Sequence, residues 1–153
     1  MTPLQANPKA APYAGLYARF NLGVALVKAG DETEGQALLD SVGQAPGPDE
    51  EVRSLRDRAN VALGFANLAG KLHRDARNAL QRVRLNGPQS NKALLGFGWA
   101  SLQQQEPRRA LVAFRQVLAG NHAQQQGNDC LHLVQPPAAE HHTGQRQQNA
   151  HAA

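Results

Sequence analysis

The hydrophobic pattern of this chain changes character twice. Up to about residue 12, prolines at positions 3, 8 and 12 interrupt the sequence and the apolar positions have no period. From Tyr13 to about Gly120, apolar residues recur at three- and four-residue spacing, as in Phe20, Val24 and Val27, and each run stops at Gly, Pro or Asp. That period predicts a train of helices. Beyond Gly120 it ends: residues 121–153 hold seven glutamines, five of the six histidines and few apolar residues besides Leu131, Leu133 and Val134. Such a segment buries too little surface to offset its ordering entropy. The pattern therefore predicts an extended lead-in over 1–12, an all-α domain over 13–120 and a disordered low-complexity tail over 121–153.

The helical stretch repeats itself. A shift of 34 residues brings Leu63, Gly64, Phe65, Ala66 and Leu68 onto Phe97, Gly98, Trp99, Ala100 and Leu102. The same shift carries Ala76 to Ala110, Leu80 to Phe114 and Val83 to Val117 without a gap. A shift of 41 relates the first unit in the same way: Leu22 to Leu63, Gly23 to Gly64, Gly35 to Ala76, Leu39 to Leu80, Val42 to Val83. The additional residues fall in the Gly43 to Glu51 loop, around Ala45-Pro46-Gly47-Pro48, where extra length costs little closure entropy. A fixed period of this size predicts stacked helical hairpins, with units at about 16–45, 52–88 and 90–120. Glycine inside a helix costs about 1 kcal/mol against alanine, so glycines at one recurring place predict close helix packing there. Pro107 should open the last helix, and Gly87-Pro88 should end the second unit.

These residues resemble the tetratricopeptide repeat family over roughly Tyr17 to Gly120. The matching positions are the apolar-Gly pairs Leu22-Gly23, Leu63-Gly64 and Phe97-Gly98, then Ala76 with Leu80, Ala110 with Phe114, and Pro88 as unit terminator. The chain departs from the family where Arg19, Asn60 and Leu94 replace the early helix A aromatic, where Leu26, Asn67 and Ser101 replace the later tyrosine, and at Gly35. Leu85 to Gly96 also looks like a junction in long bacterial proteins built from these repeats. The resemblance implies a right-handed superhelical solenoid acting as a non-catalytic scaffold for protein binding. Its first helices would line a concave groove that takes a peptide or a partner helix. The groove would then present Phe20, Val24, Arg58, Phe65, Leu68, Lys92, Trp99 and Leu102, beside Tyr17, Val27, Val61 and Leu95. Phe65 and Trp99 would anchor an apolar partner while Arg58 and Lys92 read its carboxylates. The competing reading packs the same side chains between neighbouring hairpins.

Charge adds a second candidate surface. Residues 31–57 carry a net −6, and residues 71–115 carry a net +7, mostly arginine. The Lys71 to Arg115 face could hold nucleic acid or an acidic partner through phosphates or carboxylates, although no aromatics interleave to stack on bases. Solvated helix faces with local pairing, and head-to-tail self-association of acidic and basic ends, are the alternatives.

Composition narrows the classes. Aromatics at 5% and an excess of Ala, Leu, Gln, Arg and Gly disfavour a strand-rich fold. One cysteine, Cys130, excludes an intramolecular disulfide and a four-cysteine metal site. No apolar run approaches the roughly 20 residues of a membrane span, and no secretory signal follows Met1, so the default compartment is cytoplasmic. No catalytic, cofactor or metal site is expected. His73 sits beside Lys71 and Arg74 in a predicted turn, Gly96-x-Gly98 lacks the rest of a dinucleotide fingerprint, and Cys130-x-His132 with His141-His142 fits no structural zinc spacing. The last helix, expected over Pro107 to Ala119, lacks a polar capping helix. The chain therefore reads as a piece of a longer repeat protein, open to self-association through Leu111 and Leu118.

Overall fold

The computed structural model describes residues 13–124, with side-chain surroundings to residue 120. The expectations for the lead-in and for 125–153 lie outside the described residues. Six α-helices follow one another: α1 (Ala14–Ala29), α2 (Glu32–Gly43), α3 (Glu50–Ala69), α4 (His73–Leu80), α5 (Ser90–Gln103) and α6 (Pro107–Gln124). The described residues hold no strand, so this part of the chain is all-α. Each helix packs on the next in sequence, and the odd helices also touch, α1 on α3 and α3 on α5.

One turn is built three times. Gly30 leaves α1 in the left-handed region at φ 96°, and the Asp31 N–H closes back onto the Leu26 carbonyl at 2.9 Å. At the matching places Lys71 (φ 61°) and Gln105 (φ 59°) adopt the same conformation. The Leu72 N–H then reaches the Asn67 carbonyl at 2.8 Å, and the Glu106 N–H reaches the Ser101 carbonyl at 2.9 Å. The turn reverses the chain within each pair of helices, so the apolar face of the first helix meets that of the second.

Two apolar clusters hold the helices together. Phe20, Leu39, Val42, Leu55, Ala59 and Leu63 join α1, α2 and α3, with Ala79 of α4 against them. Val61, Leu80, Val83 and Ala93 join α3, α4 and α5, with Phe65 and Phe97 packed alongside. The phenol of Tyr13 donates to Asp49 at 3.1 Å and that of Tyr17 donates to Glu51, tying the start of α1 to the start of α3. These carboxylate partners raise both phenol pKa values above their ordinary range.

Three boundaries differ from the sequence pattern. The last helix runs through Gln124, past Gly120, where the apolar period ends. His73 is the half-buried first residue of α4 rather than a solvated turn residue. And α4 stops at Leu80, well before Gly87-Pro88. The Arg82 and Val83 amides there bond to the carbonyls three residues back, tightening the coil. The chain then turns so that Arg84 meets Asp57, its backbone N–H at 3.2 Å and its Nε at 2.7 Å.

Candidate functional site

The eight side chains proposed for the groove divide into three states. Phe20 is buried at 8% exposure in the first cluster, where Arg58 covers its ring at 5.0 Å, so its faces are already occupied. Val24, Phe65 and Leu68 are half-buried, with Phe65 against Gly96 of α5 and beneath the Lys92 ammonium at 5.8 Å. Arg58, Lys92, Trp99 and Leu102 are exposed. Arg58 and Lys92 therefore each lie over an aromatic ring of the preceding odd helix. The arrangement satisfies part of their charge within the chain and leaves the rest of each head group in solvent.

The sequence held a signal for this contact. Arg58 and Lys92 are 34 residues apart, the repeat spacing, so a shared role was legible. Which ring each one covers was not. Asn60 was also opaque: it is buried, and its amide N–H donates to the Gly43 carbonyl at 3.0 Å, closing the end of α2. A buried polar residue thus answers an unpaired helix carbonyl.

The described concavities lie elsewhere, between the even helices, and contain none of the eight residues. One, of about 420 Å³, runs between α2 and α4 and is lined by Asp40, Leu63, Asn67, Asp75, Asn78 and Arg82 among others. The second, of about 540 Å³, runs from Gln81 to α6 over Leu94 and Phe97, with Arg109, Val112 and Gln116. They are the same place in successive units: Asp40 matches Gln81, Leu63 matches Phe97, Asp75 matches Arg109 and Asn78 matches Val112. The first is polar and crossed by the Arg82–Asp40 ion pair at 2.8 Å, and the second is more apolar and basic.

Three acids of the acidic segment, Asp40, Glu50 and Asp57, pair with Arg82 and Arg84 of the basic one. Arg84 holds Glu50 through two bonds of 3.0 Å and Asp57 through one of 2.7 Å. Arg77 and Arg109 share Glu106 at 2.8 and 3.1 Å. The Arg84 guanidinium holds the Glu50 carboxyl below the usual carboxylate range, and Arg77 does the same for Glu106. Its two acidic partners in turn raise the Arg84 pKa. Lys71, Arg74, Arg108 and Arg115 hold no ion pair among the described residues.

Among the described residues, no group of three His, Cys, Asp or Glu side chains is placed to hold a metal ion. No described helix is long and apolar enough to cross a membrane. The Cys130, His132, His141 and His142 considerations lie outside the described residues. In comparisons with known proteins, no family model, curated protein or solved structure matches the chain.

Proposed function

We propose that this chain is a helical-repeat scaffold of the tetratricopeptide kind, its hairpins stacked in a right-handed superhelix, that binds a partner through side chains of α1, α3 and α5 and performs no catalysis. The observation that carries the reading is the recurrence of Val24, Phe65 and Trp99 at one repeat position, with Leu68 and Leu102 at another, beside the exposed cations Arg58 and Lys92. A partner peptide that joins an apolar anchor to a carboxylate meets both requirements of that face: apolar contact near Trp99, and charge near Lys92. Phe20 serves the scaffold and not the partner.

Trp99 is the sole tryptophan and is exposed in the single chain, so at one low protein concentration its emission reports peptide occupancy. Titration with a panel of acidic peptides carrying Leu or Phe anchors should shift the emission to the blue. Lys92→Ala and Leu102→Asp should each weaken the binding at least severalfold, with helicity unchanged. A panel that leaves the emission of the folded chain unmoved would overturn the reading. A second reading, an acidic partner or nucleic acid on the basic face, draws on Arg74 and Arg108, exposed at matching positions and without an ion pair among the described residues. A single-stranded oligonucleotide in the same titration separates it, because phosphate binding falls steeply with salt whereas apolar anchoring does not.

A further inference from the structure

The two inner joints of the stack show what one unit needs from the next. On the giving side, Phe20 and Val61 occupy matching positions and are 8% and 4% exposed. Leu95 occupies the same position in the third unit and is 46% exposed; its neighbour Trp99, matching the half-buried Phe65, is 52% exposed. On the receiving side, Leu63 is 5% exposed in α3, whereas its counterpart Leu22 in α1 is 52% exposed. Ala18 is exposed in the same way, although its counterparts Ala59 and Ala93 are buried. The molecule therefore displays, one at each end, odd-helix surfaces that its two inner joints cover.

We propose that a second copy of this chain covers each open face, with the α1 face around Ala18 and Leu22 of one copy seated on the α5 face around Leu95 and Trp99 of the next. Two observations select a second copy. The surfaces are the chain's own giving and receiving faces, related by the 34- and 41-residue register, so their spacing is already matched. In addition, Tyr17 holds the place of Lys92, so it would meet Trp99 where Lys92 meets Phe65, the residue that Trp99 matches.

The contact is head-to-tail, with different patches on the two partners, so it grows into chains unless geometry closes a ring. It is also weaker than the inner joints. Asn21 stands where Gly96 admits the Phe65 ring closely, and its larger side chain keeps Trp99 from seating as deeply. Association is therefore reversible and rises with concentration.

Light scattering of the full chain over a wide concentration range tests this, with Leu22→Glu and Leu95→Glu as variants whose sites are already exposed and whose folding is checked by circular dichroism. The wild-type mass should climb with concentration, and each variant alone should remain a monomer. An equimolar mixture of the two variants should stop at a heterodimer, because only one intact face of each kind remains. A wild-type monomer at every concentration overturns the proposal, and protection of its Trp99 from a soluble quencher would then assign the cover to residues 1–12 or 125–153 of the same chain. Self-association of either variant alone also overturns it, since that requires a face paired with itself.

Discussion

The first hairpin and the two that follow carry the same positions but solve their packing differently. In α1–α2 the three key places are all glycine: Gly23 in the first helix, Gly30 in the turn and Gly35 in the second helix. In the second and third hairpins they read Gly64, Lys71, Ala76 and Gly98, Gln105, Ala110. A Cβ on Gly35 would lie 2.8 Å from both the Gly23 carbonyl oxygen and the Val27 amide nitrogen, so the α1 and α2 backbones themselves are in contact. In the later hairpins the tight place is the first-helix glycine, where a Cβ would come within 2.4 Å of Leu80 at Gly64, or of Phe114 at Gly98. One repeat therefore closes backbone to backbone, and the others close by seating a large side chain on a glycine. A shared pattern fixes where helices approach, not which atoms make the approach.

The sharpest way to break this comparison is Gly35→Ala. The methyl group meets backbone that has no rotamer to yield, so the change should cost about 3 kcal/mol or more as α1 and α2 separate. The reverse change at the matching site, Ala76→Gly, should cost only about 1 kcal/mol. Chemical denaturation of the two variants measures the contrast, and equal losses would erase the proposed difference between hairpins.

Next in size is Arg84→Ala, which leaves the buried Asp57 carboxylate without its guanidinium and should cost about 3 kcal/mol. The first hairpin has Gly43 at that place and the third has Leu118, so this ionic fastening belongs to the second hairpin. Leu118→Ala, at an exposed site, should change stability by no more than about 0.5 kcal/mol.

The turn gives a change of opposite sign. Lys71 and Gln105 hold a left-handed conformation that costs a side-chain-bearing residue about 1 kcal/mol, and Gly30 avoids that cost. Lys71→Gly and Gln105→Gly should each stabilise the chain by up to about 1 kcal/mol, read as a rise in thermal midpoint, whereas Gly30→Ala should lower it. The smallest effect is that of acid. Glu50 and Glu106 have lowered pKa values in the fold, so their pairs contribute fully above the ordinary glutamate pKa of about 4.3. That contribution is lost as pH falls through the depressed values. A thermal scan from pH 7 to pH 3 should show the loss, and Arg77→Ala should flatten the part due to Glu106.

Much of the fold was legible before any coordinates. Spacing located the odd helices and placed Pro107 at the start of α6. Self-comparison found the three glycines Gly23, Gly64 and Gly98, and all three lie against a neighbouring helix. The eight candidate groove residues came from the register together with the family resemblance, and these assign a helix face without saying what covers it. That is why Phe20 and Leu102 looked alike in sequence, although one is core and the other exposed. The early end of α4 was hidden because Val83 continues the apolar period, while Asp57, 27 residues before Arg84, draws the chain out of the helix.

The sequence by itself determined the all-α class, the repeat register and the places where helices must approach closely. All three follow from short-range periodicity and from the volume of single residues. Only the tertiary structure decided that matching positions differ in burial, that Arg58 and Lys92 rest on rings of the preceding odd helix, and that Arg82 and Arg84 pair with Asp40, Glu50 and Asp57. Burial and pairing depend on neighbours 27 to 42 residues away, and a local pattern repeats unchanged whether or not such a neighbour is present.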